Sequence, residues 1–100
     1  MGNTPYVGRY RNSPENRKIL KDFCGKFRKM LGKEHTLYYN LSKECDMINN
    51  NTGDKMFDFL VENIDMLVSF AILKIENYKS YSKELENFKK FILKISRRKI

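Results

Sequence analysis

Between Asp54 and Asn77 the apolar residues fall into two stripes, and this constrains the fold more than any other feature of the chain. At 100° per residue, Phe57, Leu60, Ile64, Leu67, Ala71 and Ile75 gather on a broad face, while Phe59, Met66, Phe70 and Leu73 form a narrower stripe apart from it. Only Asp58, Glu62, Asp65 and Ser69 make a strongly polar strip. A helix apolar on two sides has to be surrounded, so this segment is expected at the centre of a helical bundle or at an oligomer interface. For the narrow stripe, core is the expectation. Should the other helices cover only the broad face, the same four residues become an exposed partner interface.

Three further segments carry helical periodicity. Ser13 and Pro14 supply an N-cap and a first-turn proline, Glu15 lies near the positive end of the dipole, and Gly32 supplies a stop. Between them Ile19, Leu20, Phe23, Cys24, Phe27, Met30 and Leu31 share a face, which predicts a helix over 14–31. Thr36 is a candidate cap for a shorter helix bearing Leu37, Leu41, Cys45 and Ile48, which ends in the cluster Asn49-Asn50-Asn51-Thr52-Gly53. Asp54 is the candidate cap of the two-striped helix, and Ser80 or Ser82 opens a last one bearing Tyr81, Leu85, Phe88, Ile92 and Ile95. Residues 1–12 show no periodicity and read as an extended arm with nothing local to pin it. The expected fold is all-α: a small bundle of about four amphipathic helices over 13–100, preceded by that arm.

The net charge of +8 is unevenly spread. Residues 9–33 hold nine bases and two acids, 34–76 three bases and eight acids, and 77–100 eight bases and two acids. Basic ends around an acidic middle point to a polyanion partner more than a mixed surface would. On the first helix Arg17, Lys21 and Arg28 share a stripe, with Lys18 and Lys29 nearby; on the last, Lys83, Lys90, Lys94 and Arg97 do, followed by Arg98. In the arm, Arg9 and Arg11 interleave with Tyr6 and Tyr10, a composition able to grip phosphates and stack on bases. Gly25, between Lys18 and Lys29, could let another backbone approach. Such rows contact RNA or DNA backbone largely independently of sequence, provided that they meet on one exterior.

An accessory or regulatory nucleic-acid-binding protein is therefore the leading expectation. The second is an inhibitor or adaptor docking on a larger acidic protein, or a homo-oligomer, through Phe59, Met66, Phe70 and Leu73. A peripheral contact with anionic lipid, in the manner of a matrix protein, ranks third.

Catalysis is not expected. There is no Gly-rich phosphate loop, no GxSxG and no HExxH, and His35 is the only histidine. Arg28 and His35, with six residues between them, resemble the loose Arg–His motif of HEPN nucleases, which implies RNase activity there. The pair sits at the end of an early helix, whereas that family carries it within a later one, and His35 reads more simply as a loop residue at the negative end of a dipole. No cofactor and no metal are expected: the stripe of Asp58, Glu62 and Asp65 reads as a solvated edge, or as a partner for bases on the first or last helix. Cys24 and Cys45 lack zinc-site spacing and read as reduced core residues. With no membrane-length apolar run and no signal-like N-terminus, the chain is read as soluble and cytoplasmic. Gly2 invites N-myristoylation, but Tyr6 stands where that motif wants Ser or Thr.

Overall fold

The computed structural model describes residues 6–97; the expectations for Gly2 and Arg98 lie outside them. The elements are α1 (Pro14–Leu31), α2 (Tyr38–Asp46), α3 (Asp54–Ala71) with a 3₁₀ turn at Ile72–Lys74, and α4 (Tyr78–Ile95). The all-α bundle read from the sequence is the observed fold.

α1 begins and ends on the expected residues. Ser13 Oγ accepts the Asn16 amide at 3.0 Å, leaving one fewer unpaired donor in the first turn, and Gly32 takes the positive φ of 77° that closes the helix. Elsewhere the capping expectations fail. α2 starts after Leu37 with no side-chain cap, Gly53 precedes α3 with Asp54 already helical, and α4 starts at Tyr78. α3 also stops short of Asn77, because Ile75 leaves helical geometry (φ −109°, ψ 128°) while still packing on the core, and the chain turns back into α4.

Leu20, Phe27, Leu41, Phe57, Leu60, Val61, Ile64, Val68, Tyr81 and Phe88 form the heart of the core. α4 lies antiparallel to α1: Phe27 meets the ring of Tyr81 at 5.2 Å, and Phe23 meets Phe88 at 5.2 Å and Phe91 at 5.6 Å. Such tilted ring pairs add about 0.5–1.5 kcal/mol each beyond their buried area. The Tyr81 hydroxyl, buried with its ring, donates to the Val68 carbonyl at 2.7 Å, so its polar end is satisfied.

Two expectations are overturned in this core. Cys24 and Cys45 are not free thiols but a disulfide joining α1 to α2, their Cα atoms 5.8 Å apart. Periodicity put both on buried faces, yet only the packing of α1 against α2 sets them face to face. Disulfides of this kind persist in oxidising compartments and are rare in the cytosol, which tells against the cytoplasmic reading. No helix among the described residues is long and apolar enough to cross a membrane.

The second correction concerns the narrow stripe of α3. Core was expected, but Phe59 is 51% exposed, Met66 49%, Phe70 63% and Leu73 81%. α1, α2 and α4 all pack against α3 and still leave this side uncovered, since one two-turn helix and two longer ones cannot enclose it on every side.

Candidate polyanion interface

The acidic strip of α3 anchors the N-terminal segment. Asp58, buried to 2% exposure, accepts the Tyr6 hydroxyl at 2.6 Å and the Arg9 backbone amide at 2.9 Å through one oxygen, and the Tyr10 amide at 3.1 Å through the other. A Cβ on Gly8 would stand 3.2 Å from this carboxylate, so the small residue lets the chain pass closely. Arg9 forks onto Glu62 at 2.8 and 3.2 Å, and Asp65 takes Lys89 of α4 at 2.5 Å. The solvated-edge reading of this strip is therefore wrong for Asp58, whereas Asp65 does pair with a base of the last helix. Nor is the described part of the arm a loose terminus: residues 6–12 are extended and tied down by partners some fifty residues away, which local pattern could not reveal.

The same segment joins the two ends of the chain. The Arg11 amide donates to the Ile95 carbonyl and the Arg97 amide to the Arg9 carbonyl, both at 2.9 Å, around a single antiparallel bridge between Tyr10 and Ser96. On its other side Asn16 Nδ2 donates to the Arg11 carbonyl at 2.8 Å. Asn12 donates to the Thr52 carbonyl and to Asp54, and its Oδ1 receives Arg17 at 2.6 Å. The arm, the first turns of α1 and the last turn of α4 are thus one hydrogen-bonded unit.

Six of the twelve cations singled out in the sequence stand at this pole. They are Arg11 from the arm, Arg17, Lys18 and Lys21 from the start of α1, and Lys94 and Arg97 from the end of α4. None of the six forms an ion pair among the described residues. Beside them Arg17, Lys18, Lys21, Ile48, Asn49, Asn50 and Pro14 line a hollow of about 470 Å³. Its wall holds three cations, two amides and no carboxylate, which suits an anion. Lys21 Nζ lies 3.2 Å from the Ile48 carbonyl and is held over the hollow's edge.

The remaining expected residues do not join this group. Arg9 is neutralised by Glu62, and Lys90 faces Glu86 at 3.5 Å along its own helix. Because α1 and α4 are antiparallel, Arg28 and Lys29 at the end of α1 and Lys83 near the start of α4 sit at the opposite pole. Nor do the two rows form one continuous strip: α1 turns Phe23 and Lys26 toward α4, and its row containing Lys21 toward the α2–α3 connection. Convergence holds at one pole only. Asn12, Asn49 and Asn50 were missed as site residues; the only signal for the last two was that asparagine clusters make loops, and Asn12 carried none.

Gly25 has open space where its Cβ would be, and among the described residues nothing outside its own helix turn comes within 4 Å of that position. The Arg28–His35 pair makes no shared site: His35 Nδ1 accepts the Leu37 amide at 3.0 Å, and His35 borders a separate hollow of about 560 Å³ with Glu34, Lys74 and Glu76. Among the described residues no cluster of His, Cys, Asp or Glu is arranged to hold a metal ion.

Burial raises the Tyr10 phenol above its ordinary value, with Glu62 adding to the effect, and the hydrogen bond to Asp58 raises Tyr6. Both phenols therefore keep their protons at neutral pH, and that of Tyr6 is donated to Asp58. No protein-family model matches the chain, and none of the curated proteins or solved structures compared with it is similar.

Proposed function

We propose that this protein is a non-enzymatic binding module whose basic pole grips the phosphate backbone of a nucleic acid, with little regard for base sequence. The observation that carries the reading is the gathering of Arg11, Arg17, Lys18, Lys21, Lys94 and Arg97 from both ends of the chain onto one hydrogen-bonded unit. Cations held on rigid elements lose less freedom on binding than a free tail would, and each phosphate contact releases condensed counterions. The hollow beside α1 is wide enough for a phosphate group, with the Arg17 guanidinium, one nitrogen of which already donates to Asn12, adding its charge to the point charges of the two lysines.

The test is binding to single-stranded RNA and to duplex DNA, read by fluorescence anisotropy over a range of salt. Four to six phosphate contacts give a log–log salt slope of roughly −3 to −5. Lys18→Glu with Lys94→Glu should lower affinity at least tenfold, while Lys29→Glu with Lys83→Glu, at the other pole, should lower it far less. Equal losses from both double variants, or no binding at low salt, would overturn the reading. Heparin, which carries sulfate in place of phosphate, makes the third arm: retention by heparin with no binding to either nucleic acid assigns the pole to sulfated glycans and rejects the nucleic-acid proposal.

A further inference from the structure

We infer that the exposed stripe of α3 is a dimerisation surface, and that its occupant is a second copy of this chain. The stripe is longer and more regular than the four residues named so far. Met56, 39% exposed, extends it by one turn, and Asn63 fills the gap, so that 56, 59, 63, 66, 70 and 73 follow one another at spacings of 3, 4, 3, 4 and 3. From Met56 to Phe70 that is the spacing of a coiled-coil seam, a 3.5-residue repeat that keeps one edge of a helix turned toward a partner helix, and Leu73 continues it into the 3₁₀ turn that follows α3. The buried face of α3, by contrast, is broad and centred on Phe57, Leu60, Ile64, Val68 and Ala71, as a helix packed inside a globule requires. One helix thus carries two different recognition patterns, and the fold uses only one.

One observation favours a second copy over an unrelated partner, and two more suit such a contact. The order of spacings reads the same from either end, so an antiparallel copy sets Met56 against Leu73, Phe59 against Phe70 and Asn63 against Met66, twice over. A self-complementary pattern of this kind is what a two-fold, isologous interface needs. The area also suits a dimer: at the observed exposures the five apolar residues leave roughly 600 Å² per copy, so a pair that covered them fully would bury at most roughly 1,200 Å² from them, the lower edge of specific interfaces, to which polar neighbours would add. Finally, the one polar member of the seam already has a partner for one of its donors, since Asn63 Nδ2 donates to Glu44 Oε1 at 2.8 Å within its own protomer. It can therefore enter a contact without leaving that donor unpaired.

Sedimentation equilibrium of the intact chain from low to high micromolar concentration decides the matter, with far-UV circular dichroism to confirm that each variant is folded. The wild-type chain should pass from monomer to dimer in the micromolar range. Phe70→Asp and Phe59→Asp, each at a residue more than half exposed, should each weaken the dimer at least tenfold with helix content unchanged. Leu93→Asp, at an exposed apolar residue of α4 outside the stripe's sequence, should leave it intact. A chain that stays monomeric to high micromolar concentration, a dimer that survives Phe70→Asp, or a dimer broken by Leu93→Asp would overturn the inference.

Discussion

The Asp58 carboxylate on α3 accepts the Tyr6 hydroxyl at 2.6 Å across 52 residues of sequence, and the same carboxylate takes the amides of Arg9 and Tyr10. One buried acid thereby fixes the path of Arg9 and Tyr10, while Arg11, the next residue, is held by the Ile95 carbonyl and Asn16. Asp58→Ala removes an ionised acceptor from three donors at once, and a hydrogen bond to a charged group contributes about 1.5–3 kcal/mol. The expected cost is about 2–4 kcal/mol, since some of these donors reach water once released. Urea unfolding measures the loss, and amide hydrogen exchange at Arg9 and Tyr10 should accelerate far more than at Leu20 or Phe88. Weakened nucleic-acid binding should accompany it, because Arg11 would then be held only by its bonds to Ile95 and Asn16, without the anchored Arg9 and Tyr10 before it.

Reduction of the Cys24–Cys45 disulfide should destabilise the fold without changing its topology. The bridge closes a loop of 21 residues, for which chain-entropy arguments give about 3 kcal/mol. Both sulfurs lie among buried apolar side chains, so Cys24→Ala with Cys45→Ala adds a small cavity cost. Urea midpoints with and without reductant, beside the double variant, check the prediction: the oxidised wild type should gain about that margin, and the variant should not respond to reductant.

Stability should be sensitive to alkali. Tyr81 is raised by burial, Tyr10 by burial and then by Glu62, and Tyr6 by its hydrogen bond to Asp58. A phenol whose folded pKa exceeds its unfolded value holds its proton more tightly in the native state. Its contribution is complete below the unfolded value near 10 and is lost as pH rises from there through the folded value. Urea midpoints should therefore be insensitive to these tyrosines up to about pH 9 and fall above it. Tyr81→Phe leaves the Val68 carbonyl without its donor and should cost about 1–2 kcal/mol at neutral pH, with a flatter decline in alkali than the wild type.

Much of the architecture was legible because it rests on local rules. Ser13, Pro14 and Gly32 bound α1 through caps that depend on residues one to four positions away, and the helix lies where they say. The caps assigned to Thr36, Asp54 and Ser80 fail because a helix end can also be set by packing. Val61, Val68 and Phe91 are buried although periodicity had not placed them on the inner faces, since the width of a buried face depends on how many neighbours a helix has.

The candidate site was half legible. Charge counting found the basic ends, and helix phase found the rows, but neither says which way a row turns once its helix is packed. Arg28, Lys29 and Lys83 are sent to the far pole by the antiparallel arrangement of α1 and α4, and Arg9 is removed by Glu62.

Helix content, the inner faces, the basic termini and the two-sided character of α3 follow from the sequence alone, because each depends on the spacing of residues along one helix. The pairing of Cys24 with Cys45, the anchoring of the arm on Asp58, the union of Arg11 with Arg97 and the exposure of Phe70 were decided only by the tertiary structure. Each depends on which helices become neighbours, a choice made by the whole core and carried by no single stretch of chain.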